Sequence, residues 1–363
     1  MPQLTLVPAH VVEAWDDPEI RWFYREAHRL TVPAPTSLAL ESHYPAGLLG
    51  FCRLWWASFH DGRIERALME ELRVRIAEQA GCAYCATSRL EAPAATGRPG
   101  VTAPAGDTRR QAALAFVDLL SLRPWEIGPA TWAGLSDVFD EDEVVELAVF
   151  AAWQYSGPRM LRSWGAARYK TGERADASTL PVRLAYADDA GRTTPPPRPP
   201  APRPDGSGSA PAGWLTFLAP RPELAAAWLG LWRAAVDDGP LPARIGQLIR
   251  VDLATRLVHP AWAPLDAPGI RAAGIDAATM AALPALDPAM FDPRERAAVG
   301  YARAMLADRE LDGAEEAALA ELLTEAELVQ LGLAAAVQVG AILVDRSRAA
   351  GDQAEATALR LAR

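Results

Sequence analysis

Apolar residues in this chain recur three and four positions apart over long stretches, the spacing of a helix with one buried face. Leu72, Ile76 and Ala80 follow that spacing up to Gly81. Glycine accepts the left-handed conformation of a helix C-terminal cap, so the pattern predicts a helix that stops at Gly81. Cys82 then opens a second helical run, in which Cys82, Cys85 and Arg89 share a face. Earlier, Ala14 to Arg29 reads as one helix anchored by Trp15, Trp22 and Phe23. The prolines between Thr31 and Thr36 break it, and helical spacing resumes from Pro45 through LLGFCRLWWASF. RRQAALAFVDLLS and DEDEVVELAVFAAWQY give two more helices, the second with an acidic start at Asp140 to Glu143 that suits a helix N-terminus. No segment alternates like a strand, so the predicted fold class is all-α.

The pattern also repeats. Leu38 to Cys85 lies over Leu215 to Trp262 without a gap, at the constant offset of 177 that separates Pro45 from Pro222. Trp55 then meets Trp232, Asp61-Gly62 meets Asp238-Gly239, and Arg73-Val74 meets Arg250-Val251. Further on, DTRRQAALAF echoes DPRERAAVGY and EVVELAVFAAWQ echoes ELVQLGLAAAVQ. We read this as an internal duplication of one helical unit. The expected organisation is a domain over 1–187 with a lead-in to 36, a Pro/Gly/Ser-rich solvated linker over 188–213, and a second helical domain over 214–363.

Composition narrows the function. Among 363 residues 50% are hydrophobic and 23% charged, as in a soluble globular protein, and the net charge is −10. With no basic stripe to offset that charge, nucleic acid is not an expected partner. No uninterrupted apolar window of membrane-spanning length and no signal-peptide pattern is present, so no membrane partner is expected. Three cysteines, two of them three apart, do not make a secreted disulfide framework, and a cytoplasmic location is expected.

The candidate chemistry sits at Cys82-x-x-Cys85. A lone C-x-x-C lacks the four ligands of a zinc site, so no metal is expected; inert core thiols are the plain alternative. The start of a helix and the Arg89 guanidinium would both favour thiolate. Cys52 has no nearby partner and reads as a buried small hydrophobe. Trp55 and Trp232 read as core, whereas Trp56, opposite Arg233, is freer to line a pocket. In the second copy Glu70 becomes Gln247, Cys82 becomes His259 and Cys85 becomes Trp262, so the chemistry is lost there and His259 reads as structural.

Glu70 followed by Gly81-Cys82-Ala83-Tyr84-Cys85 resembles the alkylhydroperoxidase D and carboxymuconolactone decarboxylase family. In that family the glutamate, both cysteines and a histidine four residues after the second cysteine form a redox site. Here Glu70, Cys82 and Cys85 match, and Arg89 stands at the histidine position. The resemblance implies a compact helical domain and a thiol-dependent oxidoreductase without a cofactor. Cys85 would attack a small-molecule peroxide or disulfide, Cys82 would resolve the product to a disulfide, Glu70 would relay a proton, and a thiol reductant protein would close the cycle. A homo-oligomer is expected. If the chain folds back at Gly81, a Glu70–Arg89 ion pair competes with the relay. The alternatives are a non-redox decarboxylase-like or lactone-processing enzyme, with His43 and His60 the nearby histidines, and a scaffold with no chemistry.

Overall fold

A computed structural model describes residues 4–32, 36–87, 89–90, 108–166 and 209–349, and these described residues are all-α apart from one pair of two-residue strands. The first half runs α1 (Ala9–Glu13), α2 (Pro18–Leu30), β1 (Thr31–Val32), α3 (Thr36–Glu41), α4 (Pro45–Trp55), α5 (Arg66–Gln79), α6 (Ala83–Thr87), β2 (Arg89–Leu90), α7 (Thr108–Leu122), α8 (Pro129–Ser136) and α9 (Glu141–Ser163). The second runs α10 (Ala212–Leu218), α11 (Pro222–Trp232), α12 (Ala243–Arg256), α13 (Pro268–Ala272), α14 (Ala277–Ala282), α15 (Pro293–Leu306), α16 (Gly313–Leu322) and α17 (Glu325–Ala349). The strands are antiparallel, Thr31 opposite Leu90 and Val32 opposite Arg89.

Local signals set most of these boundaries. The helix expected over Ala14 to Arg29 is α2, which starts four residues later, at Pro18. Asp17 accepts the backbone N–H groups of Glu19 and Ile20 at 2.8 and 3.1 Å, and Pro18 starts α2 where its missing N–H does no harm. Asp140 caps α9 through a reciprocal capping box with Glu143. The linker expected to run to Gly213 ends earlier. Ser209 is buried, and its Oγ accepts from Trp232 Nε1 at 3.0 Å and from Gln247 Nε2 at 2.9 Å. A serine carries the hydrogen bonds that make such burial tolerable. The expected linker from 188 to 208 lies outside the described residues, as does the segment from 91 to 107, which its Ala, Pro, Gly and Thr content predicts to be a loop.

Several local features occur in both halves. α4 and α11 each run into a π-helical turn, Trp56–His60 and Arg233–Asp237, and each turn leads on to a 14-residue helix, α5 or α12. α5 and α12 close alike: Cys82 N–H donates to the Ala77 carbonyl at 3.0 Å, and His259 N–H to that of Ala254 at 2.8 Å. The left-handed residue in these closures is Gly81, φ 64°, in one half and Val258, φ 52°, in the other.

α9 and α17 pack side by side through a continuous core, and α4 packs on α11. Gly340 lies where α17 meets α9, and a Cβ there would run into the Ala152 backbone. The α17 helix is long and apolar enough to cross a membrane, yet 94% of that apolar window is buried inside the protein.

Each half also reaches into the other. Tyr44 donates its hydroxyl to the Ala234 and Asp238 carbonyls at 2.8 and 3.0 Å. Arg221, at the matching position in the second half, donates to the buried Glu146 carboxylate. Glu146 also accepts from Arg63 and Ile64 N–H after the Asp61-Gly62 turn, at 2.8 and 3.1 Å. Gln330 does the same for the Asp238-Gly239 turn, accepting from Leu241 N–H at 2.6 Å and donating to the Asp238 carbonyl at 3.0 Å. The repeated Asp-Gly pairs therefore sit on repeated buried acceptors.

Candidate functional site

The site starts from the middle of α5. Glu70 and Arg73 are one turn apart on it, and Arg73 donates Nε and Nη2 to the two Glu70 carboxylate oxygens, both at 2.7 Å. Its Nη1 donates to the Cys85 carbonyl at 2.8 Å, tying α5 to α6 across the Gly81 reversal. Burial alone would lower the Arg73 pKa; the Glu70 charge and hydrogen bonds outweigh it and hold the guanidinium above its usual value. Because Glu70 neutralises Arg73, the pair offers Cys85 a directed dipole more than a net charge.

Cys82 and Cys85 are joined as a disulfide with Cα atoms 5.3 Å apart, and Cys85 N–H points at Cys82 Sγ at 3.2 Å. Both residues are buried, and Cys52 is a free, buried cysteine. Burial first, then the charges of Glu41 and Glu19, push the Cys52 thiol well above its ordinary pKa. Its burial is as expected from the sequence.

Cys85, but not Cys82, lines a cavity of about 100 Å³ between α3, α4, α5, α6 and α9. That space holds several waters or a small organic molecule. Its wall is largely apolar and aromatic, with Phe51, Trp55, Trp153, Met160 and Leu161. The Phe51 ring lies 5.1 Å from that of Trp153 and 6.2 Å from that of Trp55, centroid to centroid. Polar groups enter from Ser37, Glu41, Arg73, Tyr84 and Gln154. The Tyr84 hydroxyl is fixed by the Ser37 N–H at 2.9 Å. Pro158, inside α9, has no N–H to offer the Gln154 carbonyl four residues back, and both residues line the cavity.

Several sequence expectations change here. Cys82, Cys85 and Arg89 do not share a helix face, because α6 stops at Thr87 and Arg89 falls in β2. The Arg89 backbone pairs with Val32, and its side chain lies outside the described residues. A five-residue α6 also has too few aligned peptides for a sizeable helix dipole at the thiols. The cation tied to the Cys85 turn is Arg73, which also pairs with Glu70; the expected Glu70–Arg89 pair falls on a side chain outside the described residues. Trp55 lines the cavity, whereas Trp56 is 3% exposed and packs on Trp22 and Phe23 with centroids 4.6 and 5.8 Å away. The reversal has a simple cause: α2 lays Trp22 and Phe23 against Trp56 and buries it. His43 reaches the Thr5 carbonyl at 2.7 Å and Glu325 at 3.3 Å and is not among the cavity residues, and the His60 side chain is outside the described residues.

Sequence reasoning missed Arg73 and Glu41. Arg73 recurs as Arg250, which likewise donates to the carbonyl twelve residues on, that of Trp262. Gln247 stands there in place of Glu70, and burial, only partly opposed by Asp237, pulls Arg250 down to about 10. The matching space in the second half is packed with indoles. Trp214, Trp228, Trp232 and Trp262 stand where the first half has Ser37, Phe51, Trp55 and Cys85, with Trp228–Trp232 and Trp232–Trp262 centroids 5.0 and 6.0 Å apart. His259 and Trp262 both bind the Asp345 carboxylate, at 2.9 and 2.7 Å.

No protein-family model, no curated protein and no solved structure matches this chain.

Proposed function

We propose that this protein is a thiol-dependent oxidoreductase that cycles the Cys82–Cys85 pair against a small peroxide or disulfide. The observation that carries the reading is the bonded Cys82–Cys85 pair with Cys85 at the wall of an apolar cavity. Cys85, the cysteine that lines the cavity, is the attacking residue. Cys82 resolves the product, and an external dithiol returns the pair to the thiol state. Arg73 fixes the Cys85 turn and Glu70 keeps Arg73 in place; Glu70 is thus engaged as a structural anion before it is a proton carrier.

The shared offset of the helix and π-turn boundaries, the two matching helix closures and the paired Glu146/Gln330 acceptors support an internal duplication. On that reading the chain is two alkylhydroperoxidase D-like units, the first carrying the redox pair and the second a packed structural partner. The residues that support the family likeness are Glu70, Cys82 and Cys85; Arg89 departs from it.

The deciding measurement is a redox titration of the native protein with thiol quantification, followed by peroxide consumption on the same sample. Two thiols should appear and disappear together, within one chain, while Cys52 stays unreactive until unfolding. A Cys82–Cys85 pair that neither reduces with dithiothreitol nor reoxidises with peroxide or a disulfide sinks the proposal.

A further inference from the structure

Glu41, at the C-terminal end of α3, is 1% exposed and lines the same cavity as Cys85. Its Oε2 is buried without a hydrogen-bond partner. A carboxyl so placed normally finds a donor, because an unpaired buried polar atom costs roughly 1–3 kcal/mol. No such donor reaches Oε2 here. At the matching position in the second half, where the cysteines are absent, Leu218 is fully buried. An apolar side chain therefore suits this place on α10, and the carboxyl stands only in the half that has the thiols. Burial also pushes Glu41 well above the usual carboxylate range, which favours the protonated carboxyl.

We propose that Glu41 is the proton donor for Cys85 in the reduction of an organic hydroperoxide bound in this cavity. The inference rests on the thiol reading above. The Cys85 thiolate attacks the outer peroxide oxygen, an S–O bond forms and the O–O bond breaks, leaving a sulfenic acid and an alkoxide. Glu41 gives its proton to the alkoxide, which departs as the alcohol, and Glu41 is left as carboxylate. The Cys82 thiol then displaces the sulfenic hydroxyl as water and forms the disulfide. An external dithiol reduces that disulfide, and Glu41 takes back a proton as the Cys85 thiol ionises. The sum is hydroperoxide plus dithiol giving alcohol, water and disulfide. The role assigned to Glu41 is one that a permanently charged arginine at position 89 cannot fill.

The test compares two oxidants on Glu41→Gln. Cumene hydroperoxide leaves as an alkoxide and needs a proton, whereas 3-chloroperbenzoic acid leaves as a stable carboxylate and does not. Glu41→Gln should slow cumene hydroperoxide reduction about 100-fold while changing the peracid rate by less than about 3-fold. Glu41→Leu, with the residue the second half uses, should behave the same way and guards against a misfolded glutamine variant. Equal losses with both oxidants, or no loss with either, overturn the role of Glu41. So does a wild-type protein that consumes the peracid but not the alkyl hydroperoxide, and in that case the thiol reading stands. A pair inert to both oxidants and to dithiothreitol removes the thiol reading as well.

Discussion

Arg73 grips Glu70 at two points, Nε on one carboxylate oxygen and Nη2 on the other, with Glu70 fully buried and Arg73 7% exposed. Buried pairs of this kind add little to net stability, but removing one partner strands the other charge. Glu70→Ala should therefore destabilise the protein by about 3–5 kcal/mol, and the paired replacement Glu70→Leu with Arg73→Met should recover much of that loss. Urea denaturation of the two variants checks it. A loss below about 1 kcal/mol for Glu70→Ala would mean that water reaches Arg73.

Stability should depend on pH through Glu41. Its folded pKa is raised above the ordinary 4.5 by burial. A raised carboxyl contributes stability that is complete below the unfolded value and is lost as pH rises through the folded one. The neighbouring Cys52 thiol is pushed up as well, so it stays uncharged through this window. Glu41→Gln should therefore gain on the wild type steadily as pH is raised from 4.5 towards 8, with denaturation midpoints as the readout. A constant gap between the two proteins across that range would show that the buried carboxyl does not titrate there.

Two glycines should answer oppositely to alanine. A Cβ at Gly340 meets the Ala152 backbone, which cannot swing aside, so Gly340→Ala should destabilise by about 2 kcal/mol or more. At Gly230 in α11 a Cβ meets nothing, and Gly230→Ala should stabilise by roughly 0.5–1 kcal/mol through helix propensity. Thermal melts of both variants, side by side, test the α9–α17 crossing. Equal shifts would mean that the helices can separate without penalty.

In the second half, Asp345→Ala leaves the His259 and Trp262 N–H groups without their acceptor and should destabilise by roughly 2–4 kcal/mol. Burial alone would raise the Asp345 pKa, but the hydrogen bonds from His259 and Trp262 and the His259 charge bring it below the usual value. A depressed carboxyl contributes stability that is present above its unfolded value and lost as pH falls through the folded one. The wild type and Asp345→Ala should thus converge below about pH 4 in acid denaturation. Convergence at neutral pH instead would place the partner of His259 elsewhere.

The α5 and α9 helices were legible because both are written twice in local code, once as apolar spacing and once as a start or stop signal. Asp140 before an acidic turn and Gly81 after Ala80 are such signals, and both act as expected. Val258 was not legible, because a β-branched residue in the left-handed region breaks the local rule, and only the packing of the second half against it holds it there. The cavity is a tertiary object. Glu41 lies 44 positions before Cys85, in a segment with no motif, and nothing local marks it as the same site. Its one sequence trace is indirect, a glutamate that becomes leucine 177 residues later. Trp56 is buried by Trp22 and Phe23 of α2, a tertiary contact that apolar spacing does not record.

The crossed grips of Tyr44 and Arg221 have a consequence for assembly. Contacts of this kind between separate polypeptides weaken on dilution, because each partner must be found again after every dissociation. Here the second partner is tethered, so its local concentration is set by chain length and not by how much protein the cell makes. The half without cysteines can then devote its interior to tryptophans, and the half with cysteines can keep a hollow one, with no requirement that either fold alone.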